Sequence, residues 1–290
     1  MLAKSAYMPN VMSFNIVMAA LCRANLADEA CKLKMEMLEM DVIPDGFTYN
    51  ILINVLCKAG RLPEAMRLTQ EMEHNGCLPM IVTFNTILNG LFLEEKFEEA
   101  HALFLEMKSG LVDPNDITYT SMILAYCKAG EAIKAYKLVK EMYEQNLFLD
   151  STSCNVVLES LCNVSRVLKA CKVFVLMRKQ GPAPNGTSFG LVIRGLCKIQ
   201  RVDKAFLLFN EMTYKRWIPD IRTCNLLISS LCRVEKLEFA LKVVEKMPII
   251  GVDLENLTLQ TIVKALHAAG RGKESERYLG QLVEKTDNLD

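Results

Sequence analysis

The chain has 290 residues, 34 of them basic and 34 acidic, with 51% hydrophobic and 23% charged side chains, a composition typical of folded globular domains and not of a disordered tail. Zero formal charge removes any bulk electrostatic case for a polyanionic partner, so such a case has to rest on where the charges sit. No apolar run approaches the roughly 18 residues that a bilayer span requires, so no transmembrane helix is expected.

In chain order, residues 1–10 (MLAKSAYMPN) come first, too short and polar for a secretory signal and too short for an Arg-rich transit peptide. Any import signal is therefore expected outside this chain. With Pro9 and Asn10 the segment looks like the end of a preceding repeat whose first helix is missing, which would leave the amino end uncapped. From residue 11 onward a 35-residue period runs without insertion, giving frames at 11–45, 46–80, 81–115, 116–150, 151–185, 186–220, 221–255 and 256–290. Three kinds of residue keep the same period. Cys22, Cys57, Cys127, Cys162, Cys197 and Cys232 hold one phase, with Phe92 and His267 in the two remaining slots. Ala30, Ala65, Ala100, Ala135, Ala170, Ala205 and Ala240 hold a second, and Met37, Met72, Met107, Met142, Met177, Met212 and Met247 a third.

Each frame reads as two helices. TYNILINVLCKAG places Tyr49, Ile51, Leu52, Ile53, Leu56 and Cys57 at helical spacing, and Gly60 breaks that helix. LPEAMRLTQEMEHNG follows with Leu62, Ala65, Met66, Leu68 and Met72 along one side, Pro63 in its first turn and Gly76 as a left-handed stop. Pro79 then prevents continuation. Ser13, Thr48, Thr83, Thr118, Ser153, Ser188, Thr223 and Thr258, third in their frames, are candidate helix-start caps. A two-helix unit cannot bury both apolar faces alone, so the frames must stack; the expected fold class is all-α, a solenoid of tandem helix-turn-helix repeats. The eighth frame loses the Ala and Met marks and ends in the polar EKTDNLD, as a degenerate, cap-like repeat would.

Eleven cysteines without a CxxC pair, recurring once per layer, read as small packing groups, and methionine as an adaptable filler. His74, His101 and His267 are the only histidines and lack suitable partners nearby in sequence, and no H-x-E with P-C-x-x-C signature is present. No catalysis, metal or cofactor is expected.

With the frame in hand, VTFNTILNGL (82–91), LCKAGRLPEA (56–65) and LVKEMYEQNLFLD (138–150) resemble the pentatricopeptide repeat of plant organelle RNA-binding proteins. The likeness covers everything after residue 10. A strict 35-residue frame resembles the P class, and the Trp, Gly-Tyr and Ala-x-x-x-Phe marks of the 34-residue tetratricopeptide repeat are absent. The resemblance implies a right-handed superhelix that holds a single RNA strand in its inner groove. One base is read per repeat by the fifth and last residues of the frame. On that pattern Asn15 with Asp45 resembles a uracil reader, Asn85 with Asn115 and Asn155 with Asn185 cytosine readers that tolerate uracil, and Thr120 with Asp150 a guanine reader. Gly190 with Asp220 departs from the usual pairs and leans to guanine; Asn50 with Met80 and Asn225 with Glu255 keep the pyrimidine-type Asn but lose the usual last residue. Gln260 with Asp290 matches nothing common. The implied partner is single-stranded RNA of roughly 5′-U-Y-C-G-C-G-Y-N.

The resemblance also implies that second-position side chains wedge between bases. Met12, Phe47, Val82, Ile117 and Leu257 fit that role, whereas Thr152, Thr187 and Arg222 depart from it. Arg23, Lys58, Lys128, Lys198 and Arg233, each next to a twelfth-position Cys, fall where the family contacts the RNA backbone. Five such contacts imply a salt slope of about −3.5. Read without the family, a fifth-position Asn is a tolerated polar residue, an end-of-frame Asp or Asn a helix cap, and the basic row a solvated face. The expected role is organelle transcript stabilisation, processing or translation in mitochondrion or chloroplast. The rivals are a protein-interaction scaffold, a subunit that recruits a nuclease, and an inert fragment.

Overall fold

The structure, a computed structural model, describes residues 9–110 and 112–287, with side chains as far as residue 280. Among these residues the regular structure is helical throughout: α1 (Val11–Arg23), α2 (Ala27–Glu39), α3 (Gly46–Lys58), α4 (Leu62–His74), α5 (Ile81–Leu93), α6 (Phe97–Ser109), α7 (Asp116–Lys128), α8 (Ala132–Glu144), α9 (Ser151–Asn163), α10 (Val167–Gln180), α11 (Gly186–Lys198), α12 (Val202–Tyr214), α13 (Ile221–Arg233), α14 (Leu237–Ile249), α15 (Asn256–Ala268) and α16 (Gly272–Asp287). Each odd-numbered helix starts 35 residues after the one before it.

The helices fall into two compact units, Met1–Glu131 and Ala132–Asp290. In the first, α1, α3, α5 and α7 pack in a row, each on the next, with α2, α4 and α6 wedged against them. In the second, α9, α11, α13 and α15 form a corresponding row, flanked by the even-numbered helices from α8 to α16.

Helix ends follow from the residues placed there. Between the two helices of every hairpin the chain enters the left-handed region, at Asn25, Gly60, Glu95, Gly130, Ser165, Gln200, Glu235 and Gly270. Glycine adopts that conformation freely; the five residues with a Cβ hold the same turn against a cost of roughly 1–2 kcal/mol each. Gly76, at φ 76°, stops α4, and Pro63 lies in its first turn, where the missing N–H leaves no bond unmade.

The periodic marks are the core. None of the seven alanines or seven methionines exceeds 2% exposure. Alanine lets the helix backbones approach, and methionine fills the space between layers. None of the eleven cysteines is in a disulfide; Cys22, Cys57, Cys162 and Cys197 are buried and Cys127 and Cys232 half-buried. Burial pushes the thiols of Cys57, Cys162, Cys197 and Cys232 up to about 11, so they are neutral packing atoms at physiological pH.

The cysteine of one hairpin meets the first helix of the next at close range. A Cβ built on Gly90 would lie 2.8 Å from Cys57 Sγ, and one on Gly195 would lie 2.8 Å from Cys162 Sγ and 3.2 Å from Val167 Cγ1. Glycine inside a helix ordinarily sacrifices about 0.5–1 kcal/mol relative to alanine. Here overpacking of about 1–3 kcal/mol outweighs that gain. Gly195→Ala is therefore expected to lower the thermal midpoint, while Gly280→Ala, with nothing within 4 Å of its added Cβ, should raise it. A Gly195→Ala protein melting no lower than the parent would contradict the close approach.

Candidate nucleic-acid interface

The candidate interface lies at the starts of the odd-numbered helices. The residue before each helix takes extended backbone, and where it is Asp or Asn its side chain accepts from the third backbone N–H of the helix. Ser13 N donates to Asn10 at 2.9 Å, Thr48 N to Asp45 at 2.8 Å, Thr118 N to Asn115 at 3.0 Å, Ser153 N to Asp150 at 2.7 Å, Ser188 N to Asn185 at 3.0 Å and Thr223 N to Asp220 at 2.6 Å. The caps are thus the last-position residues, and the third-position Ser and Thr, read from sequence as candidate caps, sit inside the helix. There the hydroxyls of Thr48, Thr83, Thr118 and Ser188 accept from the backbone N–H of Asp45, Met80, Asn115 and Asn185, the returning half of a capping box. Met80 has no carboxyl or amide oxygen to offer, and the Glu255 side chain makes no cap bond.

The third-position hydroxyls have a second partner, which explains why those of α3, α5, α7, α11, α13 and α15 are buried to 2% exposure or less. Thr48, Thr83, Thr118, Ser188 and Thr258 each place Oγ 2.5–2.7 Å from the Oδ1 of the fifth-position Asn in the preceding hairpin: Asn15, Asn50, Asn85, Asn155 and Asn225 respectively. The hydroxyl donates and the amide oxygen accepts, which orients the Asn. Its Nδ2 then points to the last residue of its own frame, donating to Asp45 Oδ1 at 3.2 Å, to Asn185 Oδ1 at 3.3 Å and to Glu255 Oε2 at 3.1 Å. Glu255 so occupies the place of the usual Asp, although its longer side chain gives up the cap.

At Asp45 the Thr48 N–H and the Asn15 amide both donate to Oδ1, Thr48 Oγ1 lies 2.8 Å from the same oxygen, and the Phe47 backbone N–H adds a further bond to the carboxylate. Burial opposes ionisation of this carboxyl, but the hydrogen bonds from Thr48 and Asn15 prevail and hold it below the usual carboxylate range. Asp45 is consequently ionised near neutrality and can only accept. At Asn115 and Asn185 Oδ1 is taken up by the helix start, which leaves the amide N–H2 as the group to meet a ligand, although at Asn185 one of its two hydrogens reaches Ser151 Oγ at 3.4 Å. Thr120 is half-buried on α7 in the first unit, and Asp150 caps α9 in the second. Gln260 is exposed, whereas Asp290 lies outside the described residues.

The second-position side chains are exposed: Met12 71%, Phe47 63%, Val82 55%, Ile117 61% and Leu257 64%. Met12, Asn15, Arg23, Asp45 and Phe47 line one hollow of about 600 Å³, which brings a fifth residue, a last residue, two second residues and a basic residue together in one place. Arg23, Lys58, Lys128, Lys198 and Arg233 are exposed at the ends of their helices. Lys128 is paired with Glu95 at 3.2 Å, which weakens its claim on a phosphate.

One participant was missed by sequence reasoning. Gly190 has no side chain to meet Thr223, and Arg194, one helical turn on, does so instead: its Nη1 donates to Thr223 Oγ1 at 2.8 Å and to Asp220 Oδ2 at 2.9 Å. The available signal was an arginine four residues after the only glycine at a fifth position.

The family model described as the PPR repeat family matches residues 9–58, 44–79, 79–128 and 117–163, and a second, the pentacotripeptide-repeat region of PRORP, matches residues 159–288. The chain belongs to the PPR repeat family. The crystal structure of the pentatricopeptide repeat protein PPR10 from maize is similar to this PPR chain with a TM-score of 0.57 and 23% identity, over 97% of this chain and 40% of that one. The complex of PPR10 with an 18-nt psaJ RNA element gives 0.51 and 21%, over 97% and 50%. Nuclear proteinaceous RNase P 2 from A. thaliana gives 0.53 and 15%, over 64% and 42%. These likenesses place the PPR chain in the all-α helical-repeat solenoid fold, and it spans about half or less of the length of those proteins. A comparison with curated proteins gave no match. Among the described residues no helix is long and apolar enough to cross a membrane.

Proposed function

We propose that this PPR protein binds single-stranded RNA without catalysis of its own, reading one base per hairpin through the fifth and last residues of each frame. The observation that carries the reading is the amide lock repeated at Asn15, Asn50, Asn85, Asn155 and Asn225. A buried hydroxyl from the next hairpin fixes each amide in one orientation. A solvated polar residue needs no such fixing; a group that must meet a base edge with its donor side outward does. Only an unpaired strand exposes that edge. The RNA-bound state of PPR10, a protein of this fold, agrees with such a partner.

The chemistry at the last position then sets the base. Ionised Asp45 accepts, which suits the N3–H of uracil, whereas the outward amide N–H2 of Asn115 and Asn185 donates, which suits the N3 of cytosine. Glu255 accepts like Asp45, and Met80 does neither, so its register distinguishes pyrimidines poorly. Thr120 with Asp150 reads guanine on the family pattern. Met12, Phe47, Val82 and Ile117 stack between bases, and Arg23, Lys58, Lys198 and Arg233 approach phosphates. The consensus is roughly 5′-U-Y-C-G-C-G-Y-N. The protein acts on organelle transcripts in mitochondrion or chloroplast, where occupying RNA stabilises it, defines a processing end or opens a start site for translation.

The test is selection of bound sequences from a random single-stranded RNA pool at stated salt. Enrichment of a pyrimidine-rich consensus with guanine at the fourth register is expected, and Thr120→Asn should move that register alone from guanine to uracil. No enrichment would overturn base reading and favour a protein-binding scaffold.

A further inference from the structure

We propose that Arg194 reads the base at the sixth register in place of the missing fifth-position side chain, and that this base is guanine. The inference rests on the RNA-binding reading above and assigns one further specificity residue within it.

In the hairpins with Asn, the third-position hydroxyl of the next hairpin donates to the amide. In the sixth hairpin the polarity is reversed, since Thr223 Oγ1 accepts from the guanidinium of Arg194 at 2.8 Å. The same Nη1 donates to Asp220 Oδ2 at 2.9 Å, while Asp220 Oδ1 takes the Thr223 N–H at 2.6 Å. Both carboxylate oxygens of Asp220 therefore have partners, and one of those partners is a guanidinium. Asp220 thus shares its acceptor capacity with the Arg194 guanidinium. The groups left over belong to Arg194, whose remaining N–H donors come without any acceptor.

The guanidinium stands where a fifth-position side chain would be. A Cβ on Gly190 would lie 3.2 Å from Arg194 Nη1 and 3.3 Å from Thr223 Oγ1. Gly190, Arg194, Asp220, Thr187 and Trp217 line one hollow of about 400 Å³, so the guanidinium that replaces the missing side chain faces open space. A planar, donor-only fork matches two adjacent acceptors on one base edge. Guanine presents O6 and N7 side by side, whereas adenine alternates a donor with an acceptor. The donor pattern therefore selects guanine over adenine, and among the pyrimidines only cytosine, with N3 and O2 side by side, can compete.

The experiment uses the full chain and single-stranded RNAs carrying UUCGCXU, with X as each of the four bases in turn and uracil at the first register varied separately as a control. The parent should prefer guanine at X by about tenfold or more, the discrimination typical of a bidentate pair. Arg194→Ala should abolish that preference, and Arg194→Gln, which presents a donor beside an acceptor, should shift it toward adenine. Gly190→Asn combined with Arg194→Ala rebuilds the arrangement of Asn15 with Asp45 and should move X to uracil. Thermal melting of each variant checks the fold, and the double substitution reads the same register if Arg194→Ala alone is unstable. A parent indifferent to X, or an unchanged guanine preference in Arg194→Ala, overturns the assignment while the first register still discriminates. Loss of discrimination at the first register too would instead sink base reading itself, and this inference with it.

Discussion

Truncating four exposed side chains together, Met12→Ala, Phe47→Ala, Val82→Ala and Ile117→Ala, should weaken binding of a UUCG-containing single strand about a thousandfold and leave the melting temperature within a few degrees of the parent. All four project from the second position of their frames and are more than half exposed, so their removal opens no cavity. Surface truncations of this kind usually shift stability by no more than about 0.5 kcal/mol each. Contacts between a side chain and a base contribute about 1–3 kcal/mol. Three of the four residues are aliphatic, so the lower figure applies, and four contacts at about 1 kcal/mol each correspond to roughly three orders of magnitude in Kd. Filter binding at fixed salt and a melting curve provide both numbers. Intact affinity in the quadruple variant would show that these residues do not touch bases.

The largest stability effect is expected at a hydroxyl. Thr118 is fully buried, lies 2.7 Å from Asn85 Oδ1 and 3.0 Å from Asn115 Oδ1, and accepts from the Asn115 N–H. Thr118→Val keeps the shape and removes the oxygen, which leaves the Asn85 carbonyl and the Asn115 N–H without their partner. An unsatisfied buried group costs about 1–3 kcal/mol; Asn85 and Asn115 are half-buried, so a loss of about 1–3 kcal/mol in total is expected, concentrated where α5 meets α7. Hydrogen exchange should show faster opening of α5 and α7, with little change in α1 and α3. In RNA selection the third register should lose its cytosine preference although Asn85 and Asn115 are both unaltered, because the amide of Asn85 is free to turn over. Retention of both stability and register preference would mean that the hydroxyl holds neither hairpin nor amide.

Much of this was legible in the sequence because a repeat writes the same physical demand many times. Alanine, methionine and cysteine at fixed phases marked buried positions, and they are buried except for Cys127 and Cys232, which are half-buried. The helix breaks after Cys57 and before Pro79 fell where Gly60 and Gly76 suggested. What escaped were partnerships between hairpins. Nothing within one frame shows that Thr48 bonds to Asn15, because the two are 33 residues apart and meet only when α1 and α3 stack. The sequence also offered two candidates for the cap, the third-position hydroxyl and the end-of-frame Asp or Asn, and the structure gives the cap to the second, since Ser and Thr are acceptable both as caps and as the returning half of a capping box. Arg194 was missed for another reason: it substitutes for an absent side chain from a different position, and a pattern that compares like positions cannot register an exchange between unlike ones. The boundary between Glu131 and Ala132, which falls inside the fourth frame, had no mark in composition at all.

Under the base-reading proposal the last residue of each frame has a double duty, which limits how such a protein can be rewritten. A substitution chosen there to suit a new nucleotide also decides how well the following helix begins. Asp and Asn serve both ends, so an exchange such as Asp45→Asn trades one letter for another at little structural expense. Met80 has already left that vocabulary, and α5 starts without the side-chain oxygen that the other caps supply. The alphabet open to selection at this position is thus narrowed by the demands of folding before any transcript is encountered.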